Sequence, residues 1–393
     1  MVAAAARRDR SGPGGDRVMT DVSRASRAAL PNAQPFIDHL LKIAVRGLSQ
    51  IGGQTVTDVP QTYRGLPSAD GPRLEPQGRN LRYAAIAALG LGRMADDVQR
   101  AALDGRTAAD FALECQAAAL RQTEPGAAAL SLWAAAEVAG AADSSLVAPL
   151  ATALDGAVDT VVASWILMAA VEVGAEADLL RDRAALRLLA YRGTAGVFAH
   201  TLPPARGVRG HVGCFADQVY PIQAFARLHT VTGRPEHLAV ANETARRIVD
   251  LQGDHGQWWW HYDRRDGSVV EGFPVYAVHQ HGMAPMALLE LAETGGDDHA
   301  DAVQRGVGWL TTHPECMEPL IAPELGVVWR KVGRREAVKA SRAIGALTTS
   351  IRPGLHVPGL DRVMPPGHID YECRPYELGW LLYAWGSPQR SAA

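Results

Sequence analysis

The chain has 393 residues, 47% of them hydrophobic and 21% charged, with a formal net charge of −3. That much apolar material supplies a sizeable core and excludes global disorder, and the near-neutral balance removes the electrostatic case for nucleic acid or an anionic membrane as partner. Four widely spaced cysteines, Cys115, Cys214, Cys316 and Cys373, form no CxxC or CxxH pair. A disulfide framework and a structural zinc site are therefore not expected, and a reducing cytoplasm is the expected location.

The N-terminus places its first charges after a very short apolar patch, the reverse of a secretory signal. Residues 1–30 are expected to be a disordered tail, with 31–393 as a single domain. From Pro35 onward apolar residues recur at helical spacing, beginning with Phe36, Ile37, Leu40 and Leu41. Further helices are expected at about 80–92, 107–121, 127–140, 145–156, 159–174 and 177–191, and at about 215–232, 236–252, 277–293, 298–312, 335–349 and 372–386. Gly140, Gly174, Gly233, Pro235, Gly295 and Gly296 punctuate the gaps. Short strands fit only at Val269–Val270 or Val327–Trp329. The longest apolar run, Val161 to Val173, is interrupted by Ser164 and falls short of the ~20 residues a membrane span needs.

This density of helices implies roughly 50–60 residues per helical pair. Small residues dominate Ala84 to Gly92 and Ala134 to Gly140, which lets helices approach closely in two layers. The fold class expected is all-α, an (α/α)6 toroid of six hairpins, with an open α-solenoid as its rival.

Candidate chemistry concentrates between Gly213 and Glu293. Asp217 sits in the first turn of a helix with Tyr220 one turn on, so it either complements the helix dipole or meets ligand as a general acid. The loop Gln252 to Asp263 reads QGDHGQWWWHYD. In an extended segment Trp258 and Trp260 share one face and Trp259 takes the other. At least one should plug the ring, and the others, with His261 and Asp263, suit a sugar's apolar face and hydroxyls. Asp263 and Glu271 are acid/base candidates or turn residues. Tyr276, His279 and His281 open the next helix, and His211 precedes the first. Histidines at i, i+2 cannot share a helix face, and no HExxH-type spacing is present, so neither metal nor cofactor is expected. At the ends of the chain Arg82 is placed to bind a carboxylate or phosphate, and Tyr371 to line the same cleft. Glu372, Arg374 and Glu377 are expected to close the ring as an ion-pair network.

The order of these features resembles the six-hairpin glycosidase superfamily, in particular its unsaturated rhamnogalacturonyl and glucuronyl hydrolases. The resemblance rests on Phe215-Ala-Asp217-Gln-Val-Tyr220 at a helix start, then Gln252, Gly256, Trp258 and Asp263, over about residues 213–293. It implies a glycoside hydrolase acting on an oligosaccharide or uronate-containing glycan, or an epimerase or lyase, with Asp217 as acid/base carboxylate and the tryptophans against the sugar rings. Glu271 or His279 is expected to orient water or serve the second proton-transfer step. The chain departs from the family where an Arg-Gly-x-Gly-Trp-like segment is usual and it carries HQHGMAP from His279. Gln252 to Trp258 also looks like a QW motif of terpene cyclases, echoed at Arg305 to Leu310, although the DxDD and DDxxD motifs of those enzymes are missing. A non-catalytic glycan- or lipid-binding toroid is the third reading.

Overall fold

The computed structural model describes residues 33–68, 72–202, 207–337 and 339–387, together with Arg24. The expected tail, 1–30, lies outside the described residues apart from Arg24. Its helices, labelled in chain order, are α1 (Ala33–Leu48), α2 (Leu81–Leu91), α3 (Ala108–Ala119), α4 (Pro125–Ala134), α5 (Val147–Asp155), α6 (Thr160–Val173), α7 (Asp178–Tyr191), α8 (Ala216–Thr232), α9 (Pro235–Asp250), α10 (Ala284–Glu293), α11 (Ala300–Thr312), α12 (Ala340–Ile351) and α13 (Pro375–Trp385). Short helices at Asp96–Ala102 and Leu360–Val363 have too few residues for a readable period.

Helices α2, α4, α6, α8, α10 and α13 touch one another in turn, and α13 packs on both α10 and α2, so the contacts close into a cycle. Their interiors are buried nearly throughout: Gly126 to Ala134 in α4 and Leu378 to Trp385 in α13 are fully inside. The alternate helices α1, α3, α5, α7, α9 and α11 pack outside this set and keep one polar face. Alanine and glycine permit the close approach. A Cβ on Gly90 would lie 2.3 Å from the Gly379 carbonyl oxygen, so α2 and α13 meet backbone to backbone.

Polar caps mark one end of this inner set. Asn80 accepts from the Arg82 amide at 3.1 Å, Asp159 from Val162 at 2.8 Å, and Glu124 from Gly126 and Ala127 at 2.9 and 2.7 Å. Each cap satisfies amides a helix start leaves open, so the polar groups gather at the end where these helices begin. At the opposite end Arg227 of α8 is buried among Glu137, Glu172, Glu290 and the Tyr383 hydroxyl. The described Arg24 reaches the same end and donates to Glu293 at 2.9 and 2.8 Å.

Two departures from the sequence expectation have physical causes. The helix expected at 277–293 is a π-helical turn at His279–Met283 followed by α10. Pro285 has no N–H to give the His281 carbonyl four residues back, and the Trp385 indole donates to that oxygen instead, at 2.7 Å. The second departure concerns strands. Strands are expected only at Val269–Val270 or Val327–Trp329, whereas the loops form small antiparallel sheets from eleven short strands: β1 (Thr62–Leu66), β2 (Arg73–Gln77), β3 (Val212–Cys214), β4 (His261–Asp263), β5 (Val269–Glu271), β6 (Val275–Tyr276), β7 (Ile321–Ala322), β8 (Val327–Val328), β9 (Lys331–Arg334), β10 (Pro366–Asp370) and β11 (Glu372–Cys373) among the described residues. Segments this short show no alternation a sequence can reveal. The sheet β3-β4-β5 matters most, because it pairs Cys214 with His261 and His261 with Glu271.

Candidate active site

The starts of five inner helices surround a cavity of about 220 Å³. Asn80, Arg82 and Tyr83 come from the start of α2, Val161 and Trp165 from α6, Ala216 and Tyr220 from α8, His279 and Met283 from the π-turn, and Tyr376 from α13. Ile86 of α2, Cys214, Trp260, Tyr276 and Arg330 complete the wall. Aromatic surface with a few fixed polar groups is the composition of a small-ligand site.

Of the sequence candidates, Arg82, Tyr220, Trp260, Tyr276 and His279 line this cavity. Arg82 is tied to Glu124, its Nε 2.7 Å from Oε2. Tyr220 accepts from the Trp380 indole at 2.8 Å, and burial pushes its phenol far up. His279 lies between the rings of Phe215 and Tyr276, 4.4 and 4.9 Å from their centroids. Burial, with Arg330 nearby, brings its pKa down to about 3, so it is a neutral imidazole.

The three tryptophans divide. Trp258 is fully buried against Phe215, Trp259 packs edge-on to Phe273, and Trp260 stacks on His261 with centroids 3.8 Å apart. Gln252 donates to the Gly256 and Ala302 carbonyls at 3.0 and 2.8 Å, so the QW-like motif ties the aromatic loop to α11. His261 is buried, and desolvation with Arg209 and Arg342 beside it holds its pKa well below the usual value. Arg342 lies over the Trp260 ring at 5.2 Å.

The other candidates lie off the cavity wall. Glu271 accepts from Arg334 at 3.1 Å and from the Phe273 amide at 2.9 Å, beside a separate cavity of about 210 Å³ that also includes Asp361. Asp263 is buried and paired with Arg265 at 2.6 Å within the β4–β5 turn. His211 bonds Thr349 at 2.8 Å. His281 is buried beneath Trp385, with its pKa brought down to about 3 by desolvation. Tyr371 is 43% exposed and packs edge-on to Trp329. Beside it, Arg330 bonds Glu377 at 3.2 Å and lies 3.8 Å from Glu372, while Arg374 lies 3.6 Å from Glu372. The expected ion-pair network is therefore present, with Arg64 and Arg330 added. Desolvation lifts the Glu377 carboxyl to about 7 despite these cations.

Asp217 is fully buried although its neighbours Cys214, Ala216 and Tyr220 line the cavity. Its Oδ2 accepts from the Cys214 amide at 2.7 Å, and its Oδ1 lies 3.0 Å from Nδ1 of His200. The other His200 nitrogen, Nε2, is 4.0 Å from Asp159 Oδ2. The hydrogen bond to Asp217 is the main reason the imidazole is held up at about 9, whereas burial raises Asp159. His200 is positioned by its backbone, which accepts from Thr160 and donates to Val212, both at 3.1 Å. Sequence reasoning missed His200, Asp159, Cys214 and Arg330. The one available signal was that Asp159 opens a helix, as Asp217 does.

No family model matches the sequence, and no curated protein matches it. Among solved structures, the chain is similar to an unsaturated glucuronyl hydrolase specific for heparin, with 14% identity and a TM-score of 0.54, covering 89% of this chain and 96% of the other. It is similar to the unsaturated glucuronyl hydrolase of Bacillus sp. GL1, with 14% identity and a TM-score of 0.52 over 89% and 94% of the two chains. A possible GH105 family member from Klebsiella pneumoniae gives 11% identity and a TM-score of 0.54 over 91% and 94%. The chain thus has the fold of these proteins, as the resemblance in its sequence implies.

Proposed function

We propose that this protein is a glycoside hydrolase acting on a uronate-containing oligosaccharide in the cavity between the inner-helix starts. On this reading the closed cycle of helices is an (α/α)6 toroid, and the cavity is its mouth. Fold likeness alone does not fix chemistry. The observation that carries the reading is the union of an aromatic cavity with a carboxylate, Asp217, in the first turn of one of the helices that build it.

Asp217 is the proposed general acid, acting as a pair with His200. The proton of the pair rests on the imidazole, which Asp217 holds up at about 9, and His200, with a side chain 50% exposed, is the group that hands it to the substrate. For the water-orienting role we assign His279 rather than Glu271, because His279 stands in the cavity wall as a neutral imidazole while Glu271 is paired with Arg334 beside the other cavity. Arg82 and Arg330 are the proposed partners of a uronate carboxylate. Trp260, Tyr220 and Tyr276 give the sugar apolar surface. Four free cysteines suit the cytoplasmic location, and no helix among the described residues is long and apolar enough to cross a membrane.

The test is turnover of unsaturated uronyl disaccharides and of a panel of saturated uronides by the purified chain and by Asp217→Asn. Turnover that Asp217→Asn retains in full removes the assigned acid, and absence of any turnover removes the activity.

A further inference from the structure

His200 follows α7, Cys214 ends β3, and Asp217 opens α8. Each offers one donor atom, and these atoms all lie within 4.8 Å of one another. Ligands sharing one tetrahedral ion, with bonds of about 2.0–2.3 Å, stand roughly 3–4 Å apart. The cluster, at up to 4.8 Å, is within about 1 Å of that spacing. Its Nδ1–Oδ1 edge, 3.0 Å long, is at the lower end of it.

We propose that His200, Cys214 and Asp217 form a three-ligand site for a thiophilic divalent transition-metal ion of the zinc class, with its open position facing the cavity. The donor set selects the class. Calcium and magnesium take oxygen ligands, whereas one sulfur, one imidazole nitrogen and one carboxylate oxygen suit zinc, cobalt or their neighbours. The surroundings agree. Asp159 stands 4.0 Å from His200 Nε2, on the side where a metal-bound histidine donates to an orienting carboxylate, and a side-chain shift of about 1 Å would make that hydrogen bond. The Cys214 amide fixes the second oxygen of Asp217 at 2.7 Å. Cys214 itself lines the cavity, so a fourth, exchangeable ligand enters from that side. Coordination releases the Nδ1 proton now shared with Asp217 and the thiol proton of Cys214 to solvent, and the thiolate and carboxylate balance the charge of the ion.

This inference goes beyond the proposed hydrolase reading, and its binding test does not need that reading. Where both hold, the ion-loaded form is the inhibited one, because Asp217 is then a ligand.

Cobalt(II) titrated into the full chain provides the test. The site predicts one equivalent bound with a thiolate-to-cobalt charge-transfer band that zinc abolishes by displacement. Cys214→Ser should lose the band. His200→Gln and Asp217→Asn should each bind at least about tenfold more weakly. Cys316→Ser should keep the band, although Cys316 lies 3.5 Å from His313 and is the competing thiol. No band, a band that survives Cys214→Ser, or one lost in Cys316→Ser overturns the site. Far-UV circular dichroism shows whether each variant is folded. Anomalous scattering from zinc-soaked crystals of the unsubstituted protein provides a check that needs no variant: a peak among the three donors supports the site, and peaks only elsewhere overturn it.

Discussion

His200 and Asp217 share a hydrogen bond of 3.0 Å, and it joins a half-exposed imidazole to a carboxylate with no exposure of its own. A buried acid that reaches solvent only through another side chain acts with that side chain as a unit. Asp217→Asn is expected to lower turnover by about 10²–10⁴-fold, the usual span for a general acid. It should also leave the circular dichroism spectrum unchanged, since the amide oxygen still accepts from the Cys214 amide. Steady-state rates and spectra of the purified variant check both statements.

Trp258 and Trp260, two residues apart, predict opposite phenotypes. Trp258 is fully buried, so Trp258→Ala should cost about 3–5 kcal/mol of stability in urea unfolding. Trp260 lines the cavity. Trp260→Ala should therefore raise KM for an oligosaccharide, by about 1 kcal/mol of lost binding, with a much smaller change in the unfolding midpoint. Equal destabilisation by the two would contradict the division of the loop.

Arg227 holds the far end of the inner helices, with Nη1 2.7 Å from Glu137 and 3.1 Å from Glu172, and Glu290 on its Nε. Its charge is fixed by these carboxylates, and Glu137 and Glu290 are held below the usual carboxylate range by it in return. Arg227→Met leaves Glu137 to Arg93 alone and Glu290 to Arg24, 3.9 Å away, and should destabilise by about 3–5 kcal/mol. Equilibrium denaturation of the variant decides it.

His279 and His281 carry a pH dependence whose sign is fixed. Burial brings both to about 3, while an unfolded histidine binds its proton near pH 6.5. Their contribution to stability is complete above about pH 6.5 and is lost as pH falls from there toward 3. Each costs about 1.4 kcal/mol per pH unit within that window. His281→Leu should make the fall in stability between about pH 6.5 and 4 shallower by that slope. Urea midpoints for the two proteins across the range provide the check.

The helices were legible because caps and apolar spacing are local signals. Asp159, Thr107 and Pro235 mark starts, and Gly140 and Gly233 mark ends in the left-handed conformation at φ 62° and 67°. The sheets were not, because strands of two to five residues such as Glu372–Cys373 acquire their pairing from distant loops. Asp217 was legible as an acid at a helix start. His200 was not, since nothing in the residues around it announces that the chain will return to set Asp217 against its ring. Arg227 and Glu290 left a fainter sign, each a lone charge in an otherwise apolar helix segment.

The most direct test of the central claim is the ultraviolet absorbance of an unsaturated uronyl disaccharide incubated with the unsubstituted chain and, separately, with Asp217→Asn. Hydration of the sugar's double bond removes that absorbance. The account predicts a steady loss with the unsubstituted protein and almost none with Asp217→Asn. A stable absorbance with the folded, unsubstituted chain, or an equal loss with both proteins, would contradict it.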